Sequence, residues 1–117
     1  MATPTVQFRH GSPVMVDHTP SSAVTGGDVV VTADTPRIAH NDISANALGA
    51  LAAEGGVYSV PTATGSGSAI AADTKVYWNA GSSVVTTTAG SNKVFGVTVE
   101  ANTDDDSRID VRHDPGA

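Results

Sequence analysis

Alternation of apolar and polar side chains is clearest between Ile70 and Ala101. Val76 and Trp78 alternate with Lys75, Tyr77 and Asn79, and farther on Phe95, Val97, Val99 and Ala101 alternate with Gly96, Thr98 and Glu100. A period of two lays one set on the core face of a sheet and turns the other toward water or a neighbour. Between these runs, Val84 to Thr88 is β-branched throughout, which suits a pleated surface. Asn79-Ala80-Gly81-Ser82 and Ala89-Gly90-Ser91-Asn92 supply residues that tolerate turn dihedrals. The stretch predicts a small antiparallel unit with Trp78 as its core aromatic and Tyr77 facing outward.

The rest of the chain has the same grain. Residues 1–6 read as an extended arm, because Pro4 lacks a donor and turns its predecessor away from helix. Val6 to Arg9, Pro13 to Asp17, Val29 to Thr32 and Arg37 to His40 read as short strands. Gly11, Gly26-Gly27-Asp28 and Ala33-Asp34-Thr35-Pro36 punctuate them. Near the end, Ile109 and Val111 share one face and Arg108, Asp110 and Arg112 the other, as in a final strand with a charged outer side. Thr62 to Ala69 reads as a flexible loop. One segment is ambiguous. In Asn41 to Glu54 an Asn or Asp can cap a helix, and Ile43, Ala47, Leu48 and Leu51 fall at helical spacing. Ala47 to Ala52 can equally form a strand, and Gly49 weakens a helix by about 1 kcal/mol relative to Ala. These elements predict an all-β chain: one β domain over residues 7–117, built as a barrel or sandwich of short antiparallel strands.

Composition narrows the function. The chain has 117 residues, with Leu only at positions 48 and 51, so its core is built from Val and Ala in thin layers. Association with further copies is then an expected source of stability. The net charge is −6, from twelve acids against six Lys and Arg, and half the acids lie from Glu100 onward. An acidic surface repels phosphate, so nucleic acid is not an expected partner. No apolar run approaches the roughly 20 residues that span a bilayer, and the start lacks the pattern of a signal peptide. Synthesis in a cytoplasm, with no membrane partner, is the expectation. Cysteine is absent, which removes disulfides and thiolate chemistry.

Catalytic and metal-binding patterns are weak, so no enzyme, cofactor or metal site is expected. Ser, His and Asp are all present, but Gly65-Ser66-Gly67-Ser68 is not a nucleophile turn, and it lacks the third Gly or the Lys of a phosphate loop. His10, His18, His40 and His113 share no ligand spacing. Asn102, Asp104 and Asp106 match the first three positions of a calcium loop, but Ser107 stands where Gly is needed and His113 where a bidentate Glu is needed. The better candidates are for protein contact. Tyr77 offers an aromatic body with a polar tip, and Thr3, Pro4, Thr5 and Val6 form a segment able to add to a sheet edge.

Several of these runs carry a resemblance. Lys75-Val76-Tyr77-Trp78-Asn79, the Thr-rich strand and Phe95-Gly96-Val97 resemble the small tailed-phage capsid cement, or head decoration, proteins. Val24-Thr25-Gly26-Gly27-Asp28-Val29-Val30 and Glu54-Gly55-Gly56-Val57-Tyr58-Ser59-Val60-Pro61 are similar to that family's opening turn and to a later strand. Two positions depart from its pattern: Asp73-Thr74 stands where Gly-Asp is usual, and Gly55-Gly56 where one Gly is usual. The resemblance implies that Ala47 to Ala52 is a strand. It implies a structural virion protein on the outer face of the capsid, with the major capsid protein and further copies of itself, trimers being favoured over other oligomers, for partners. A small β-sandwich module for carbohydrate or cell-surface recognition is the alternative; it would need more exposed aromatics than this chain has to spare.

Overall fold

The computed structural model describes residues 5–117. Their regular structure is ten strands: β1 (Gln7–His10), β2 (Val14–His18), β3 (Val29–Thr32), β4 (Thr35–Ala39), β5 (Gly49–Glu54), β6 (Val57–Pro61), β7 (Lys75–Asn79), β8 (Val84–Thr86), β9 (Lys93–Thr98) and β10 (Arg108–His113). They form two antiparallel sheets. One has six strands in the order β1-β6-β10-β9-β7-β8, the other four in the order β2-β5-β4-β3. The all-β expectation holds, in its sandwich form. The larger sheet curls until Thr62, just past β6, makes one parallel bridge to Val85 on β8, and it does not close into a barrel.

The main core lies between the sheets. Tyr58, Val60, Val76, Trp78, Phe95, Ile109 and Val111 face it from the larger sheet, and Ile38 and Ala52 from the smaller. Trp78 is 5% exposed, as its alternation with Tyr77 requires, and Ile109 and Val111 point inward as their spacing predicts. Two chain crossings from one sheet to the other meet at a corner. There Gly11 backs onto Gly56 so closely that a Cβ on Gly11 would stand 2.8 Å from the Gly56 Cα. Gly55 and Gly56 both have positive φ, at 86° and 81°, which gives the doubled glycine a backbone role.

Alternation fails in β9, for a structural reason. Val76 pairs with Gly96, whereas the next residue of β7, Tyr77, pairs with Val94, so Phe95 is the extra residue of a β-bulge. The bulge shifts the inward face by one position. Phe95 and Gly96 are both buried, then Thr98 turns in where Val97 and Val99 were expected, and Val99 is 39% exposed. Thr98 is fully buried yet satisfied: its hydroxyl donates to the Ala71 carbonyl and accepts from the Thr74 amide. Those bonds hold the turn before β7, where Asp73 has a φ of +59°. Asp73 thus occupies a left-handed position, which Gly adopts without strain. Asp73→Gly is expected to leave the fold intact and to stabilise it by up to about 1 kcal/mol through relief of that strain; urea unfolding measures the difference.

The ambiguous segment is strand, not helix, and begins two residues later than Ala47. Ile43 pairs with Val24 through backbone hydrogen bonds in both directions. Its side chain lies over Gly49, where a Cβ would come within 2.7 Å of it. Ile43, Leu51 and Ala39 then form a second small cluster on the outer side of the four-stranded sheet, backed by Val16, Val24 and Val30. Leu51 and Ile43 are therefore close because a loop folds over a sheet, although their sequence spacing mimics a helical stripe. Asp42 caps no helix; its carboxylate accepts the Gly26 amide at 2.8 Å.

Candidate protein-interaction face

Strand β10 runs through the middle of the larger sheet, and its outward positions are Arg108, Asp110 and Arg112. The register assembles a face around them. Arg112 stands between Val57 on β6 and Val97 on β9, and Val97 in turn opposes Lys75 on β7. Asp110 opposes Ser59, which opposes Gln7. One row along, Tyr77 opposes Val94 and Thr86. The four-stranded sheet packs on the other side, so this face carries no further β layer among the described residues. It combines half-buried valines with Tyr77 and arginines, and aromatics and Arg are the residue types enriched at contacts between proteins.

Charge is concentrated here. Lys75, Arg108 and Arg112 project from the face, and Arg9 at its edge lies 3.9 Å from Asp110. Arg112 reaches Asp114 at 3.5 Å. Four of the chain's six Lys and Arg therefore share the face with Asp110 and Asp114, and Glu100 and Asp106 line one hollow at its rim together with Arg108 and Asp110. Arg108 also has a structural task. It donates from Nε to Ser59 Oγ at 2.8 Å and from Nη2 to the carbonyls of Ser59 and Thr5 at 2.9 and 2.7 Å. Burial pulls its guanidinium below the ordinary value, with Asp110 acting in the opposite sense.

The candidate contact residues separate accordingly. Tyr77 is on this face. Thr5 is docked through its carbonyl to Arg108, and Val6 is 2% exposed, a member of the main core whose amide donates to Gly27. Val6 thus departs from the extended-arm expectation: an apolar side chain at the sandwich mouth gains more by burial than by remaining in an arm. Thr3 and Pro4 lie outside the described residues. Asn102, Asp104 and Asp106 are turn-formers. Asn102 and Asp104 accept the amides of Ile70 and Ala69, and Asp106 accepts that of Thr103. These bonds also tie down the loop before β7, expected to be flexible.

Sequence spacing missed a histidine cluster between the sheets. His113 on β10 is fully buried, and its Nε2 donates to the Pro36 carbonyl on β4 at 2.8 Å. The neutral ring's Nδ1 is then a bare acceptor, buried without a partner among the described residues. His40, just past β4, sits with Nε2 2.6 Å from the Tyr58 hydroxyl on β6, and burial pushes that phenol up to about 12. Both bonds span the two sheets. Phe8, 45% exposed, packs against His40 and Tyr58 and borders a cleft of about 280 Å³.

Burial lowers the pKa of His113, opposed by the Pro36 hydrogen bond and by Asp114, and burial also lowers that of His40. The unfolded chain takes up these protons near pH 6.5, the folded chain only at lower pH, so between those values the unfolded state binds more protons. The contribution is complete above about pH 6.5 and is lost as the pH falls through the folded values. The urea midpoint is expected to drop between pH 7 and pH 5, with a shallower drop in His113→Gln; equal slopes in the two proteins would remove His113 as the cause.

With this geometry in place, comparison with known proteins identifies the family. The family model described as phage cement protein matches residues 8–113. The chain belongs to that family. A phage cement protein is a structural component associated with the phage capsid, and that is the coarse role of this chain. The match spans both sheets, from β1 to the end of β10. Searches of the curated proteins and of the solved structures gave no match.

Proposed function

We propose that this cement protein decorates the outer surface of a phage head and stabilises it by bridging neighbouring major capsid subunits, acting as a homo-oligomer. The observation that carries the reading is the family match along nearly the entire two-sheet unit. The surface is in keeping with it. A clamp needs a folded body, a face for neighbouring copies and a segment that engages the shell, and it needs no reacting group. The larger sheet supplies a mixed face, uncovered among the described residues, around Tyr77, Val97 and Arg112. The segment before Thr5 is the proposed element that engages the shell; Thr5 and Val6, bonded to Arg108 and Gly27, tie its base to the sandwich. Each added copy would contribute contacts that must break before a capsid subunit can leave, and many weak contacts sum to a large barrier.

The test is co-sedimentation with expanded, undecorated heads of the phage that encodes the chain. The full-length protein is expected to bind saturably. A version lacking Ala2 to Pro4 keeps Val6 in the core, so it should remain folded and bind at least tenfold more weakly. Absence of binding by the folded full-length protein would refute the decoration reading. Undiminished binding by the shortened chain would remove Thr3 and Pro4 from the contact.

A further inference from the structure

We propose that Arg37, on the outer face of the four-stranded sheet, docks a carboxylate side chain, Asp or Glu, on the outer surface of the major capsid protein. The inference names a contact residue for the decoration reading and rests on that reading for the identity of the partner. Pro36 and Ile38 turn into the sandwich, so Arg37 between them turns outward, as does Ala39. Arg37 opposes Val30 on β3, and the β4–β5 register continues to Ala53 on its other side. The loop that carries Ile43 packs on Ala39 and Leu51, one row from Arg37. On the neighbouring β2 edge, Val14 lies two residues before the outward Val16 and is 54% exposed. Arg37 is thus a half-buried cation set in an apolar sheet face.

The other cations have partners or water. Arg9, Lys93 and Arg112 each pair with an Asp, Arg108 bonds Ser59 and Thr5, and Lys75 is exposed. Arg37 forms no ion pair among the described residues, and its Nε is buried there without a hydrogen-bond partner. A buried donor on a charged group is costly to leave unmade. The chain has twelve acids, yet none of those described is placed to relieve it. A carboxylate from outside meets the need. Rotation about the side chain's own bonds presents Nε–H beside one Nη–H, a fork that matches the two oxygens of a carboxylate. Val30, Ala53 and Val14 would shield the pair from water, which strengthens it. The site also adjoins the segment proposed to engage the shell. Thr5, at the base of that segment, borders one hollow with Val30, the residue opposite Arg37. One partner can therefore be gripped by both.

The test compares full-length Arg37→Met and Arg37→Lys with the unmodified protein. Urea midpoint, mass by sedimentation equilibrium and binding to undecorated heads are read for each. Arg37→Met removes an unpaired buried donor, so its urea midpoint is expected to stay level or rise. Its mass should be unchanged, and its head binding at least tenfold weaker. Arg37→Lys should recover little of that binding, because lysine has no fork. A clear fall in the Arg37→Met midpoint would make Arg37 a structural residue and overturn the inference. A changed mass would give the face to a second copy, and undiminished head binding would leave no capsid contact there; either also overturns it. A second readout needs no heads. The arginine Nε–H signals are followed by NMR as N-acetylglutamate N-methylamide is added, the Arg37 signal being the one lost in Arg37→Met. That signal is expected to shift saturably, more than those of Arg9 and Arg112, and not with the glutamine analogue. Such a shift in a protein that fails to bind heads would support the carboxylate site while refuting decoration. Head binding without the shift would overturn the carboxylate site while leaving decoration standing.

Discussion

Gly96→Ala is expected to destabilise the fold by about 3 kcal/mol or more, near the upper end of single-residue effects. Gly96 sits beside the Phe95 bulge and opposite His113 in the β9–β10 pair. A Cβ there would collide with the Arg112 carbonyl oxygen and stand 2.9 Å from the Asp114 amide nitrogen. Both obstacles are backbone, so no rotamer change relieves them. The strand must move away, and with it go the hydrogen bond from Asp114 to the Phe95 carbonyl and the seat of His113. Urea unfolding at pH 7 measures the loss. A change below 1 kcal/mol would mean that β9 and β10 are not this close.

Phe95→Ala carries the second large effect, about 3–5 kcal/mol for a fully buried aromatic. Phe95 is the bulged residue, has no exposed surface, and contacts Trp78 on one side and His113 on the other, with ring centroids 5.8 and 5.1 Å away. Its removal opens space beside the unpartnered Nδ1 of His113. Water entering there would solvate that nitrogen and ease its protonation. The variant is therefore expected to show both a lower urea midpoint and a weaker decline between pH 7 and pH 5 than the unmodified protein. A large loss of stability with an unaltered pH slope would separate the Phe95 cavity from the histidine.

How far the sequence could be read depended on whether the signal was local. Val76 with Trp78, and Ile109 with Val111, face inward because undisturbed strands keep a period of two. The same rule misplaced Val97, Val99 and Thr98, because a bulge depends on the partner strand and one inserted residue reverses every side chain beyond it. Ile43 and Leu51 looked helical because 3.6-residue spacing cannot reveal a loop folded over a sheet. His113 gave no local sign of burial, since its partner, the Pro36 carbonyl, lies 77 residues away. Tyr77 was legible as an outward aromatic, but its surroundings were not. Lys75, Val97, Arg112 and Val57 come from four strands, and only the register sets them in one row.

The central claim, that this cement protein holds a capsid together, is tested most directly by calorimetry of undecorated heads with and without saturating protein. Preferential binding to the assembled shell must raise its melting temperature, increasingly with the concentration of free protein. The account predicts a saturable rise of several degrees, lost when Ala2 to Pro4 are removed. Heads that bind the protein yet melt at an unchanged temperature would contradict it.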